Sequence, residues 1–196
     1  MDGFNRRYGF RDEPDCIRFR ILDPACSFVP GQGTPDVKLD GESFAGIGKI
    51  ASRVFITENK TNFLAFPLVK NSIVIFGAGY GHQTLSMAKW LQECEIYYWG
   101  DLDTHGFAIL DGLRAHFAHV ESFLMDRETL MACAPSWVAE DDPTDRDLQR
   151  LTPPEAALYD DLRTNKICRN LRLEQEYIDF NRVTKALGLL PNEESN

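Results

Sequence analysis

Apolar and polar positions change rhythm near residue 50. In Cys16-Ile17-Arg18-Phe19-Arg20-Ile21-Leu22, apolar and basic residues alternate, which predicts a half-exposed strand. Pro24, Pro30, Gly31, Gly33 and Pro35 mark a loop, and residues 36–40 read as a second short strand. Residues 1–49 thus form a β-rich flank without a strong core of its own, expected to pack on the core formed by later residues.

From Ile50 onward strand and helix signals alternate, which predicts an α/β fold around a parallel sheet. Residues 53–57 read as a strand. A short helical segment at 62–66 stops near Pro67. Ile73-Val74-Ile75-Phe76 is a continuous apolar run, as in a strand buried on both faces. Gly77-Ala78-Gly79-Tyr80-Gly81 turns into a helix carrying Leu85, Ala88 and Leu91. Residues 96–99 form the next strand. A helix after Thr104 presents Phe107, Leu110, Leu113 and Phe117 on one face, and 120–124 reads as a fourth strand.

Residues 50–130 are the expected core, and 131–196 bring an acidic loop and C-terminal helices. Glu140-Asp141-Asp142-Pro143-Thr144-Asp145 reads as an exposed loop. Thr152-Pro153-Pro154-Glu155 has the N-cap, the first-turn prolines and the acid three residues on that open a helix. A last helix is predicted over 171–187, with a stripe of Leu173, Tyr177, Phe180, Thr184 and Leu187, ended by Gly188 and Pro191.

Hydrophobic residues make up 43% of the 196, enough for a proper core. The net charge of −9 disfavours a simple basic nucleic-acid-binding surface. Five dispersed cysteines without a CxxC pair exclude a zinc ribbon or a disulfide framework, and reduced thiols in a cytoplasmic protein are the simplest account. The first residues lack the apolar stretch of a signal peptide, and no apolar run reaches membrane-spanning length, so no membrane partner is expected.

The chemistry concentrates in Tyr97-Tyr98-Trp99-Gly100-Asp101-Leu102-Asp103-Thr104-His105-Gly106. Asp101 and Asp103, two apart at the end of an apolar strand, project to one side and repel each other unless a cation lies between them. Glu58 also ends an apolar run. In an open parallel sheet, ligands bind outside the carboxyl ends of the strands, where all three acids fall. Three such acids suit a hard dication, Mg²⁺ or Mn²⁺. The plain alternative is that Asp103 and Thr104 cap the following helix and Glu58 is a solvated loop acid.

Glu58-Asn59-Lys60 after one strand and Asp101-x-Asp103-x-x-Gly106 after a later one resemble a Toprim domain. More closely, residues 56–67 (ITENKTNFLAFP), 99–110 (WGDLDTHGFAIL) and 172–176 (RLEQE) resemble the C-terminal domain of the Wadjet nuclease subunit, JetD or MksG. The similarity spans about residues 36–190. The bare acidic pattern is moderately specific, and the two longer strings are much more so.

The resemblance implies a Toprim-like parallel sheet sandwiched by helices. It implies a metal-dependent DNA endonuclease that works with an SMC–kleisin complex against plasmids, with Glu58, Asp101 and Asp103 as catalytic and metal-binding residues. It also implies a winged-helix-like DNA-binding region outside this chain, which fits the acidic balance, and homodimerisation as in topoisomerase relatives. Two alternatives stay open: a topoisomerase VI A-like transesterification subunit, and a non-catalytic module that docks SMC partners. Tyr97 and Tyr98 fall in a buried strand and read as core residues, not nucleophiles.

Four further residues have two readings each. Lys60 could contact a phosphate or be solvated at a loop tip. His105 could act as an acid or be a first-turn helix residue. Glu174 and Glu176 belong either to the site or to a solvated helix face, Glu176 lying nearer the apolar stripe. Gly77-x-Gly79-x-Gly81 departs from GxGxxG and reads as a packing turn whose amides could approach phosphate.

Overall fold

The computed structural model describes residues 7–8, 14–31, 33–77 and 82–191. Its centre is the strand β3 (Arg53–Thr57), buried along its whole length. It pairs in parallel with β4 (Ser72–Phe76) and β5 (Glu95–Trp99), placing Phe55 beside Val74 and Tyr97. Continuous apolar runs suit these strands because both faces of the sheet are covered. A parallel strand of two residues, β6 (Glu121–Ser122), extends one edge.

The other edge is antiparallel. β1 (Cys16–Ile21) pairs with β4 and with β2 (Asp36–Asp40), giving the order β2-β1-β4-β3-β5-β6. The alternation read from β1 is real: Ile17, Phe19 and Ile21 are fully buried. Arg18 on the opposite face donates to Asp36 at 2.9 and 2.6 Å. Arg20 donates to the carbonyls of Phe63 and Leu64 at 2.8 and 2.7 Å, satisfying the last turn of a helix. The fold is thus mixed α/β, a mostly parallel sheet flanked by helices, consistent with a Toprim-like fold.

The helices with described bounds are α1 (Gly41–Gly46), α2 (Lys60–Ala65), α3 (His82–Ser86), α4 (Thr104–Arg114), α5 (Arg127–Ala132), α6 (Pro153–Arg163) and α7 (Phe180–Gly188). The predicted capping box of α6 is present. Its Glu155 forms a buried pair with Arg114 of α4, with Nη1 and Nη2 at 2.5 and 3.0 Å from the carboxylate. Arg114 Nε also donates to the Val120 carbonyl at 2.8 Å, so one guanidinium ties α4 to α6 and to the approach to β6.

Three sequence expectations need correction. The helix from residue 82 ends at Ser86 and resumes as a 3₁₀ turn at Lys89–Glu93, because the Ala88 backbone leaves the helical region. Leu85, Ala88 and Leu91 are nevertheless all buried. The strand expected over 120–124 is cut short where Leu124 takes a positive φ of 56°.

The third correction matters most. No helix runs over 171–187. Leu171–Arg172 is a strand, β8, antiparallel to β7 (Val138–Ala139). Leu173 then bridges to Leu102, with N–H···O bonds of 2.9 and 3.1 Å in the two directions. Gln175–Tyr177 is a 3₁₀ turn, and α7 starts only at Phe180, capped by Asp179. The supposed stripe is not one face: Leu173 is fully buried, whereas Tyr177 is 51% exposed. Pairing with distant strands overrides the local helical spacing.

Candidate functional site

Parallel register brings the acids together. Thr57 at the end of β3 lies opposite Trp99 at the end of β5, so Glu58 and Asp101 leave the carboxyl edge side by side. Asn59 caps α2, its Oδ1 accepting from Thr61 and Asn62 N–H at 2.8 and 3.1 Å. Asp103 caps α4, its Oδ1 accepting from Gly106 N–H at 2.7 Å. The capping alternative therefore holds for Asp103.

Two glycines make this turn possible. A Cβ on Gly106 would stand 2.1 Å from the Asp101 carbonyl oxygen, and one on Gly100 would stand 2.2 Å from the Tyr98 hydroxyl. The final glycine of Asp-x-Asp-x-x-Gly thus lets α4 begin directly beneath the Asp101 backbone.

The segment Arg172-Leu173-Glu174-Gln175-Glu176 crosses this edge as a strap, extended to Glu174 and then entering the 3₁₀ turn. Arg172 Nη2 donates to Asp101 Oδ2 at 2.5 Å. Its Nε lies 3.4 Å from Asp103 Oδ2 and 3.7 Å from Glu174. Gln175 donates its backbone N–H to Asp101 Oδ1 at 2.9 Å. The buried Gln175 side chain accepts from the Thr57 hydroxyl and, at 3.4 Å, from Asn62. Asn59 Nδ2 donates to Glu176 Oε2 at 2.6 Å. Local periodicity could not show Arg172 and Gln175 at the site, although their place in the RLEQE string was a signal.

The result is a cleft of about 290 Å³ lined by Glu58, Asn59, Asp101, Arg172, Glu174, Gln175 and Glu176. Asp103 lies behind Arg172, almost fully buried. Burial and the neighbouring charge of Asp101 push the Glu58 carboxyl up to about 7, against the pull of the Tyr98 hydroxyl and Arg172. That hydroxyl is fully buried and has no partner at good hydrogen-bond geometry. Burial also raises Asp103 to about 6; the Gly106 N–H opposes this, and Glu140 and Asp101 add to it. Burial alone would depress Arg172, but the charges of Asp101 and Asp103 outweigh it and raise the guanidinium further.

Glu140 was expected in an exposed loop and is instead 2% exposed. It accepts from Thr104 Oγ1 at 2.7 Å and from His105 N–H at 3.3 Å. With Asp103, it supplies the start of α4 with acceptors, which offsets its desolvation. His105 turns outward, its Nε2 2.6 Å from the Asp142 carbonyl oxygen, and does not line the cleft. Lys60 is exposed at the first turn of α2, also outside the lining. Glu174 and Glu176 do line it. Gly79 and Gly81 lie outside the described residues.

The profile of the family described as Wadjet protein JetD, C-terminal, matches residues 9–187. The chain belongs to the JetD C-terminal family. The match begins ahead of the motif-bearing segments, so β1 and β2 lie within the JetD C-terminal domain. No curated protein matches the chain. Among the described residues, no helix is long and apolar enough to cross a membrane.

The donor set of this JetD C-terminal site is all carboxylate oxygen, the chemistry that hard dications prefer. Burial first, and then the charge of neighbouring carboxylates, holds Glu58 and Asp103 above the usual carboxylate range, and a cation beside them would favour their ionised forms. As the side chains stand, no three or more His, Cys, Asp or Glu among the described residues are arranged to hold a metal ion. The cation in place is Arg172.

Proposed function

We propose that this chain is the catalytic domain of a divalent-metal-dependent DNA endonuclease of a Wadjet-type plasmid defence system. The observation that carries the reading is the convergence of Glu58 and Asp101, with Asp103 behind them, at the carboxyl edge of adjacent parallel strands in a JetD C-terminal chain.

Asp101 and Asp103 would hold Mg²⁺ or Mn²⁺, with Glu58 beside them. The ion would neutralise charge on the scissile phosphate and acidify a bound water. Glu58, with its carboxyl near 7, suits proton transfer close to neutral pH. Gln175 and Gly106 hold the two aspartates through backbone N–H groups, so the carboxylates are preorganised before any ligand arrives. The net charge of −9 repels DNA, so the reading includes an SMC–kleisin complex and a basic DNA-binding region as partners, and weak cleavage by this chain alone.

The test is plasmid cleavage by the protein assembled with its SMC–kleisin partners, in Mg²⁺ or Mn²⁺. Asp101→Asn and Glu58→Gln should each reduce cleavage by ~100-fold or more. Undiminished cleavage by correctly folded variants would overturn the reading. A second reading, a non-catalytic docking module, draws on the structural work these acids already do: Asp103 caps α4 and pairs with Arg172. It is favoured if the variants lose co-purification with SMC partners but no activity.

A further inference from the structure

Building on the metal-site reading, we propose that Arg172 is the resident counter-ion of the acidic site and that metal loading is an exchange in which the guanidinium gives way to the dication. The argument starts from which carboxylate oxygens are already committed. Asp101 Oδ1 accepts from Gln175 N–H, and Asp103 Oδ1 accepts from Gly106 N–H. The two remaining oxygens, Asp101 Oδ2 and Asp103 Oδ2, both face Arg172. Those two oxygens are the ones that Asp101 and Asp103 would have left to offer a cation, so it and the guanidinium would compete for them.

Arg172 is half-buried and not seated as a bidentate pair on either aspartate. A well-seated guanidinium makes two parallel bonds to one carboxylate. Here one short contact goes to Asp101, and the buried Nε has no partner at good hydrogen-bond geometry. Its side chain is one-third exposed, which leaves a way out. Glu174, 3.7 Å from Nε and itself 31% exposed, lies ready to receive the displaced charge. Meanwhile the backbone is pinned on both sides: β8 pairs Arg172 with Val138, and Leu173 bridges to Leu102. Departure of the guanidinium therefore needs only side-chain rotation, and both aspartates keep their backbone donors.

The experiment is calorimetric titration of Mn²⁺ into the 196-residue chain, with thermal melting in parallel. Arg172→Gln should bind Mn²⁺ on the order of tenfold more tightly than the unaltered chain. It should melt lower without metal and gain more from its addition. Arg172→Lys, which keeps the charge but cannot straddle both carboxylates, should fall between the two. Equal or weaker Mn²⁺ binding by Arg172→Gln, with clear binding by the unaltered chain, overturns the exchange and leaves the metal site standing. Absence of Mn²⁺ binding in all three proteins overturns both. If Arg172→Gln does not fold, Arg172→Lys decides alone: tighter binding supports the exchange, and unchanged or weaker binding refutes it.

Discussion

Gln175 donates its backbone N–H to Asp101 Oδ1 at 2.9 Å, joining residues 74 positions apart. Its side chain accepts from Thr57 and Asn62, so one buried residue links the end of β3, the first turns of α2 and the aspartate turn. Gln175→Ala leaves the Thr57 hydroxyl buried without that partner. It should cost ~1–3 kcal/mol of stability, read by urea denaturation. Asp101 keeps its backbone donor, so the loss of stability should exceed any loss of Mn²⁺ affinity. An unchanged unfolding midpoint would show that the link does not stabilise the fold.

Gly106→Ala should be far worse than its location in a helix suggests. Alanine normally favours helix, but here its Cβ would meet the Asp101 carbonyl oxygen, which belongs to the backbone and cannot rotate away. A destabilisation of ~1–3 kcal/mol is expected, with a displaced aspartate turn. Gly46→Ala at the end of α1, where nothing lies within 4 Å of a new Cβ, is the matched control and should be neutral or mildly stabilising. Equal effects of the two substitutions would remove the steric explanation.

Burial of carboxyls at the site should make the metal-free chain lose stability as pH rises. Glu58 is raised from an ordinary 4.5 to about 7 and Asp103 from 3.8 to about 6, chiefly by burial. Between those values the folded state binds more protons than the unfolded one, so unfolding becomes easier with increasing pH. This contribution is fully present below pH 4 and gone above pH 7. Glu58→Gln should therefore melt higher than the unaltered chain at pH 8 but not at pH 4. Taking the difference between the two proteins cancels groups shifted the other way, such as Asp23 and Glu155. A pH-independent difference in melting temperature would refute the assignment to Glu58.

Glu155→Ala should remove ~3–5 kcal/mol, because it strands the Arg114 guanidinium, itself buried, without its carboxylate. Chemical denaturation measures this directly. Arg114→Met with Glu155→Leu, which removes both charges, should recover much of the loss. If the double variant is as unstable as Glu155→Ala, the cost lies in packing and not in the unpaired charge.

Much of the site was readable from local pattern. Glu58, Asp101 and Asp103 come directly after apolar strands, and strands of this class deliver their carboxyl ends to one edge. The pattern also implied that the aspartate pair needs a cation between its members. It could not say that the chain supplies one of its own. Arg172 reaches Asp101 across 71 residues, through β7–β8 pairing and the Leu102–Leu173 bridge. The apolar spacing around Leu173 and Tyr177 imitated a helix and concealed that path. Glu140 was misread for a related reason: an acidic run looks solvated unless the helix start that it serves is known to lie beside it.

The sequence by itself determined the parallel α/β core and the position of the acids at its carboxyl edge. These arise from period, burial and φ/ψ preference, all properties of neighbouring residues. Tertiary structure decided that RLEQE is a strap and not a helix, that Gln175 and Arg172 grip Asp101, and that a guanidinium fills the gap between two aspartates. Those outcomes depend on backbone hydrogen bonds between strands far apart in the chain, whose partners no local spacing specifies.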